Sequence, residues 1–226
     1  MKVYSYVVAY DSGFAPNPFH GLCTLACCKP LIRRSAQPGD LIVGLGKRAE
    51  RVVYTAEVTQ VIDFAKYWNA ALYKNKRPTK GAPLAIERSG DNIYEPWAIG
   101  EFRQRPSRHS HPDGTENVES KRTDLGGLHV VVSDTYVYFG KEGPLLPSGL
   151  AFLEIGRGHR CRFTPAQIAQ VTAWFDGLPR GVHGPPALWP SGDLSWQQES
   201  QPRSRPSSPS ARSPRRPVRG CGQNLL

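Results

Sequence analysis

Acidic residues are in short supply in this 226-residue chain: 19 aspartates and glutamates face 29 lysines and arginines, for a formal net charge of +10. That imbalance favours polyanionic partners through non-specific electrostatics. Long apolar runs are also missing, since none approaches the roughly 18 residues of a membrane span. Met1 to Tyr10 carries no signal-peptide pattern, and the expectation is a soluble cytoplasmic protein without a membrane partner. Cysteine is sparse and odd in number. Three of the five (Cys23, Cys27, Cys28) crowd one segment in which no disulfide framework suggests itself, so a reducing compartment fits. The motifs GxGxxG, GxxxxGK(S/T), GxSxG and HExxH are all absent, so no established nucleotide-hydrolase or hydride-transfer machinery is visible, and no cofactor is indicated.

What is present reads mostly as strands. Val3 to Tyr10 is dense in β-branched and aromatic residues and stops at Asp11-Ser12-Gly13. Pro38-Gly39-Asp40 is a turn, after which Leu41–Gly44 and Val52–Val61 read as two strands joined through Gly46-Lys47-Arg48. Asp63 can cap a short helix from Phe64 to about Leu72. Residues 74 to 127 are rich in Gly, Pro and charge, which predicts short strands and long loops. Leu128–Val132 and Tyr136–Phe139 look like a late hairpin across Ser133-Asp134-Thr135. Thr164 with Gln167 makes a capping box, Pro165 suits the first helical position, and Gly177 can end that helix. The tail from Gln197 is Ser, Pro and Arg with six arginines against one acid, Glu199, which is half of the net charge; its composition predicts disorder.

Several groups could carry chemistry. Lys29, Arg33 and Arg34 lie close enough to converge on a phosphate, although a solvated basic face is the plainer alternative. Asp91 and Asn92 suit base-edge hydrogen bonds and Tyr94 suits stacking, where the plainer alternative is a turn. His109, beside Ser110, and His111 could serve acid–base chemistry or metal binding, where the plainer alternative is a solvent-exposed histidine pair in a turn. Tyr138 ends a strand where an aromatic can stack on a base, with core packing the safer reading. A metal site from His20, Cys23, Cys27 and Cys28 is disfavoured, because no second pair of ligands lies downstream.

Six segments, in order, resemble the nucleotide modification associated domain 2 family of bacteria and phages: Val7–Phe19, Cys28–Arg34, Gly39-Asp40, Gly90–Tyr94, Ser107–Ser110 and Val137–Gly140. The resemblance covers about residues 1–155. It implies a setting of DNA base modification, and it adds Asp11, Phe14, Asn17 and Phe19 to the candidate nucleotide-binding residues. The segment Lys121–Gly127 stands where the family is expected to carry an aspartate, here Asp124. The strand after Gly39-Asp40 with the valine-rich strand after it is also similar to small PUA-like barrels that read modified bases.

The expected organisation is therefore an α+β, predominantly β domain over 1–155, of PUA-like small-barrel type with a few short helices. A helix and irregular extension follow over 156–196, and a tail over 197–226. Three functional readings stand. One is a binding module that seats a nucleotide or flipped base among Phe14, Phe19, Tyr94 and His109, with Lys29, Arg33 and Arg34 on the phosphate. The second is an enzyme acting on a nucleotide or DNA base, with His109 or Asp124 as the acid–base group. The third is a basic RNA-associated protein that binds through its arginine-rich tail.

Overall fold

A computed structural model describes residues 1–48 and 50–199. In chain order, β1 (Val3–Val7), β2 (Cys23–Leu25) and a short helix α1 (Pro30–Ser35) lead into β3 (Leu41–Leu45) and β4 (Val52–Glu57). Next come β5 (Gln60–Asp63), α2 (Phe64–Asn69), α3 (Ala85–Arg88) and the hairpin of β6 (Tyr94–Ala98) with β7 (Glu101–Gln104). Then α4 (Val118–Leu125), β8 (His129–Ser133), β9 (Thr135–Tyr138), β10 (His159–Arg160), α5 (Pro165–Asp176) and β11 (Gly181–Val182) complete the set.

Strand alternation builds the layers. Val3 and Leu41, Val43 and Leu45 pack on one side of a six-stranded sheet, ordered β10-β1-β3-β4-β9-β11, under Val171 and Phe175 of α5. Tyr4, Tyr6 and Ile42 point to the other side, because successive side chains of a strand face opposite ways. There they meet Leu25 and Val131 of a three-stranded sheet, β2-β8-β5. Val130 and Val132 face outward from that second sheet, beneath Phe64 and Tyr67 of α2, Tyr73 and Tyr94. Both sheets are thus buried on both faces. Gly44 is required at the sheet contact, since a Cβ there would run into the Tyr54 ring.

Several expectations change. The fold is mixed α+β, but the strands divide among three sheets, and among the described residues none closes into a barrel. The late pair is not a hairpin: β8 pairs with β2 and β5 while β9 pairs with β4 and β11, so the chain leaves one sheet for the other at Asp134. Val52–Val61 likewise breaks at Val58-Thr59, which lets β4 and β5 join different sheets. The basic cluster lies on helix α1 and at its N-cap Lys29, with Pro30 in the first turn. Other signals hold as read. Asp63 caps α2 by accepting the Lys66 N–H, the Thr164–Gln167 capping box forms, and β3 and β4 pair across their turn. Residues 156–196 pack onto the sheet through β10, β11 and α5, with Trp189 and Trp196 against the inter-sheet core. The predicted disorder of the tail falls, from Ser200 on, outside the described residues.

Candidate functional site

Cys28 and Lys29 both adopt left-handed backbone conformations, with φ of 58° and 41°, immediately before α1. Such residues without glycine's freedom cost roughly 1–2 kcal/mol each and persist where surrounding bonds enforce them. The bonds are present. The Cys28 N–H donates to Asp124 Oδ1 at 2.7 Å, and the Cys28 carbonyl accepts Arg33 Nε–H at 2.7 Å. Arg33 also donates to the His129 carbonyl at 2.7 Å and to the Asp124 carbonyl, so one buried guanidinium ties α1, α4 and β8 together. Gly127 makes room for it, because a Cβ at that position would overlap the guanidinium.

This frame aligns three side chains. His109 Nδ1 lies 2.7 Å from Asp124 Oδ2, and His109 Nε2 lies 3.6 Å from Cys28 Sγ. Tyr94 Oη donates to Asp124 Oδ2 at 2.7 Å, and the Gln104 amide donates to Tyr94 Oη and to the His109 carbonyl. Phe14 packs on the imidazole with ring centroids 4.7 Å apart. The arrangement is a thiol, an imidazole in reach of it, and a carboxylate orienting the imidazole, which is the geometry that activates a nucleophile.

The electrostatics follow from burial against partners. Burial alone would lower the His109 pKa, but the hydrogen bonds and charges of Asp124 and Cys28 outweigh it and hold the imidazolium up to about 10. Burial pushes the Asp124 carboxyl up, yet the His109 hydrogen bond and charge, Tyr94 and the Cys28 amide together hold it below the ordinary carboxylate range. At neutral pH the pair is imidazolium and carboxylate. It opens onto a cavity of about 400 Å³ lined by Tyr6, Tyr10, Cys28, Lys29, His109 and Asp124, with Glu119 and Ser120 from α4 on the far wall. Tyr10 stands exposed at its rim.

Cys27, His109 and Asp124 each offer a ligand atom, all within 4.8 Å of one another. The 2.7 Å between His109 Nδ1 and Asp124 Oδ2 is a hydrogen-bond distance, whereas two tetrahedral ligands each about 2 Å from zinc lie more than 3 Å apart. Cys27 is fully buried, and burial pushes its thiol far above the ordinary range. The group fits a shared proton better than a cation.

Of the residues singled out from the sequence, the structure brings Lys29, Tyr94, His109 and Asp124 to the Cys28 site. Lys29 Nζ lines the cavity, donates to the Val7 carbonyl at 3.2 Å and sits 4.5 Å over the Tyr6 ring. Arg33 is 0% exposed, its donors directed at the protein's own carbonyls, and Arg34 lies on the surface donating to the Gly126 carbonyl. Asp91 is buried, accepting from Thr24 Oγ1, Tyr67 Oη and the Ala26 N–H. Asn92 holds the Tyr67 and Tyr73 carbonyls, and Asn17 those of Gly13 and Ser89. Asp11 receives the Tyr138 hydroxyl and the Ala187 N–H, and Phe19 stacks on Trp189 in the core. Ser110 caps its own loop at Ser107. These positions share no cleft with Cys28.

The sequence weighs Cys28 only as a metal ligand beside His20, Cys23 and Cys27, and misses its meeting with His109. Its signal was present in the Cys-Lys-Pro step into a helix, but two neighbouring cysteines and a basic cluster drew the reading toward phosphate. Tyr10 and Gln104 were also missed, because nothing in their local sequence marks them.

Comparison with known proteins gives one match. The family model described as nucleotide modification associated domain 2 covers residues 1–193, so it takes in α5 and β11 as well as the strands before them. No curated protein and no solved structure matches the chain.

Proposed function

The chain belongs to the nucleotide modification associated domain 2 family, and from that premise we propose that it acts covalently on a nucleotide or a DNA base, with Cys28 as nucleophile. The observation that carries this reading is the hydrogen-bonded series from Cys28 Sγ through His109 to Asp124 at the mouth of a 400 Å³ cavity. Cys28 reacts as the thiolate partner of the His109 imidazolium: the sulfur bonds to an electrophilic carbon of the base, and the imidazolium gives its Nε2 proton to the atom that receives the displaced electron pair. Asp124 keeps the imidazolium charged and oriented for this. Tyr10 at the rim offers a face for a base removed from its stack. A reduced thiol is needed throughout, in keeping with a reducing compartment.

Cys161, exposed and distant in sequence from the site, supplies an internal reference. Limiting iodoacetamide followed by peptide mass spectrometry should label Cys28 at least tenfold faster than Cys161, and His109→Gln should remove that advantage. Equal labelling in the unaltered protein would sink the nucleophile. Nucleoside mass spectrometry of DNA and nucleotides incubated with the protein then separates an enzyme from a reader. A mass change lost in Cys28→Ser marks the enzyme, and binding with no product marks a reader built around the same cavity.

A further inference from the structure

A second cleft, of about 300 Å³, shares no lining residue with the first. Its walls are the Pro78–Gly81 loop, α3, the Pro106–Arg108 loop and Leu188–Pro190. Lys80, Arg88 and Arg108 line it, and no carboxylate does. Asp113 near Lys80 and Asp193 near Arg88 are the opposing charges in range. Lys80 Nζ donates to the Pro112 carbonyl, and Arg88 donates to the carbonyls of Ala82 and Pro83. Arg108 is exposed and, among the described residues, makes no side-chain hydrogen bond or ion pair. Trp189 is fixed in the wall by stacking on Phe19 and by donating Nε1–H to the Ser12 carbonyl.

Three cations around one cleft could be a solvated face. Position argues otherwise. Phe14 lines this cleft and packs on the His109 ring, while Arg108 is the chain neighbour of His109. The Phe14–His109 contact therefore stands between the two cavities, with Lys80, Arg88 and Arg108 on one side and Cys28 with Lys29 on the other. Single-strand binding sites combine these parts: cations that track phosphates, aromatic faces, and a pocket that takes a base out of the stack. Of the phosphate candidates that sequence patterning suggests, Arg33 is fully buried and Arg34 lines neither cavity.

We propose that this second cleft holds the phosphodiester backbone of a single-stranded nucleic acid whose base is presented to Cys28 through the adjoining cavity. The proposal rests on the reading of Cys28 as the reactive group and assigns its substrate class: a strand rather than a free nucleotide.

The test uses the full chain, tail included, so that the arginine-rich tail contributes equally to every variant. Binding of a fluorescent twelve-residue oligothymidylate is measured over a series of KCl concentrations for the unaltered protein, Lys80→Glu and Lys80→Glu/Arg108→Glu. Arg88 is left in place because it holds its own loop. Each phosphate neutralised on a single strand contributes about 0.7 to the slope of log K against log salt. The double variant is therefore expected to lose about 1.4 in slope and at least tenfold in affinity at low salt, and Lys80→Glu about half of that slope. Unchanged slope and affinity in the double variant would overturn the cleft. Thymidine monophosphate competing as strongly as the oligonucleotide would overturn the strand and leave a mononucleotide site. Iodoacetamide labelling of Cys28, run on the same samples, reports the thiol independently. Cleft binding with an unreactive Cys28 refutes the nucleophile, whereas a reactive Cys28 with no cleft contribution refutes only this proposal.

Discussion

Asp124 accepts the Cys28 amide N–H at 2.7 Å, so the carboxylate that orients His109 also pins the left-handed backbone of the residue His109 serves. One side chain sets both halves of the site, one oxygen for each.

The two roles separate by substitution. Asp124→Asn keeps an acceptor for the Cys28 N–H but not the charge that holds the imidazolium. It should retain the fold and lower the Cys28 alkylation rate on the order of 10²-fold, the scale of a lost acid–base partner. Asp124→Ala removes both and leaves the Cys28 N–H and the Tyr94 hydroxyl without their acceptor, which should cost about 1–3 kcal/mol more than Asp124→Asn in urea unfolding. Equal stabilities of the two variants would refute the backbone role.

The same pair makes a pH prediction. A histidine whose pKa rises on folding stabilises the fold fully below its unfolded value near 6.5, and that contribution is lost as pH climbs through about 10. Asp124, depressed on folding, adds stability above its ordinary range that fades in acid. Lys76 works against His109 at alkaline pH: burial lowers it to about 8, so its deprotonation relieves the fold as pH rises. The measurement is therefore a difference. The stability gap between the unaltered protein and His109→Gln should be widest between about pH 4 and 6.5 and narrow steadily toward pH 10. A gap independent of pH would show that the imidazolium is not held as described.

Arg33 tests a role the sequence suggested and the structure reassigns. Its guanidinium serves three carbonyls across α1, α4 and β8, with Gly127 leaving the space. Gly127→Ala should cost about 1–3 kcal/mol, as overpacking does. Arg33→Ala should cost more, since three buried acceptors lose a charged donor. Neither should change the salt slope of nucleic-acid binding by folded protein. A reduced slope in Arg33→Ala would restore the phosphate contact.

How much could be read without coordinates follows from range. Caps and turns are local, so Asp63, Thr164 with Gln167, and Gly39-Asp40 stood out from neighbours three residues away. Which sheet a strand joins is not local. Ser133-Asp134-Thr135 carries ordinary turn chemistry, and only packing against β2 and β4 shows that it is a crossing between sheets. The site lies between these extremes. His109 and Asp124 were legible as polar residues in motif segments, but their meeting with Cys28 spans 81 and 96 positions and depends on α1 and α4. Motif membership alone does not separate residues that line the cavity from residues that hold the loops around it.

Asp91 shows that distinction most sharply. As a base-reading residue it would face a cavity; instead it is fully buried and receives Thr24 Oγ1, Tyr67 Oη and the Ala26 N–H, with Lys76 the nearest compensating charge. Burial raises its carboxyl, and those donors with Lys76 pull it back. In Asp91→Asn the amide oxygen can turn to the Ala26 N–H, which cannot itself reorient. The NH₂ then meets two hydroxyls, which can rotate to accept. Beyond the lost counter-charge of Lys76, which both variants share, the substitution should cost only about 1 kcal/mol, one net hydrogen bond. Asp91→Ala also leaves the buried Ala26 N–H unsatisfied and opens a void, and should cost about 1–3 kcal/mol more than Asp91→Asn. A strut thus predicts unequal stabilities and unaltered oligonucleotide affinity in the folded protein. A ligand contact predicts the reverse, with both variants stable and both binding weakly. Urea unfolding beside oligothymidylate titration decides between them.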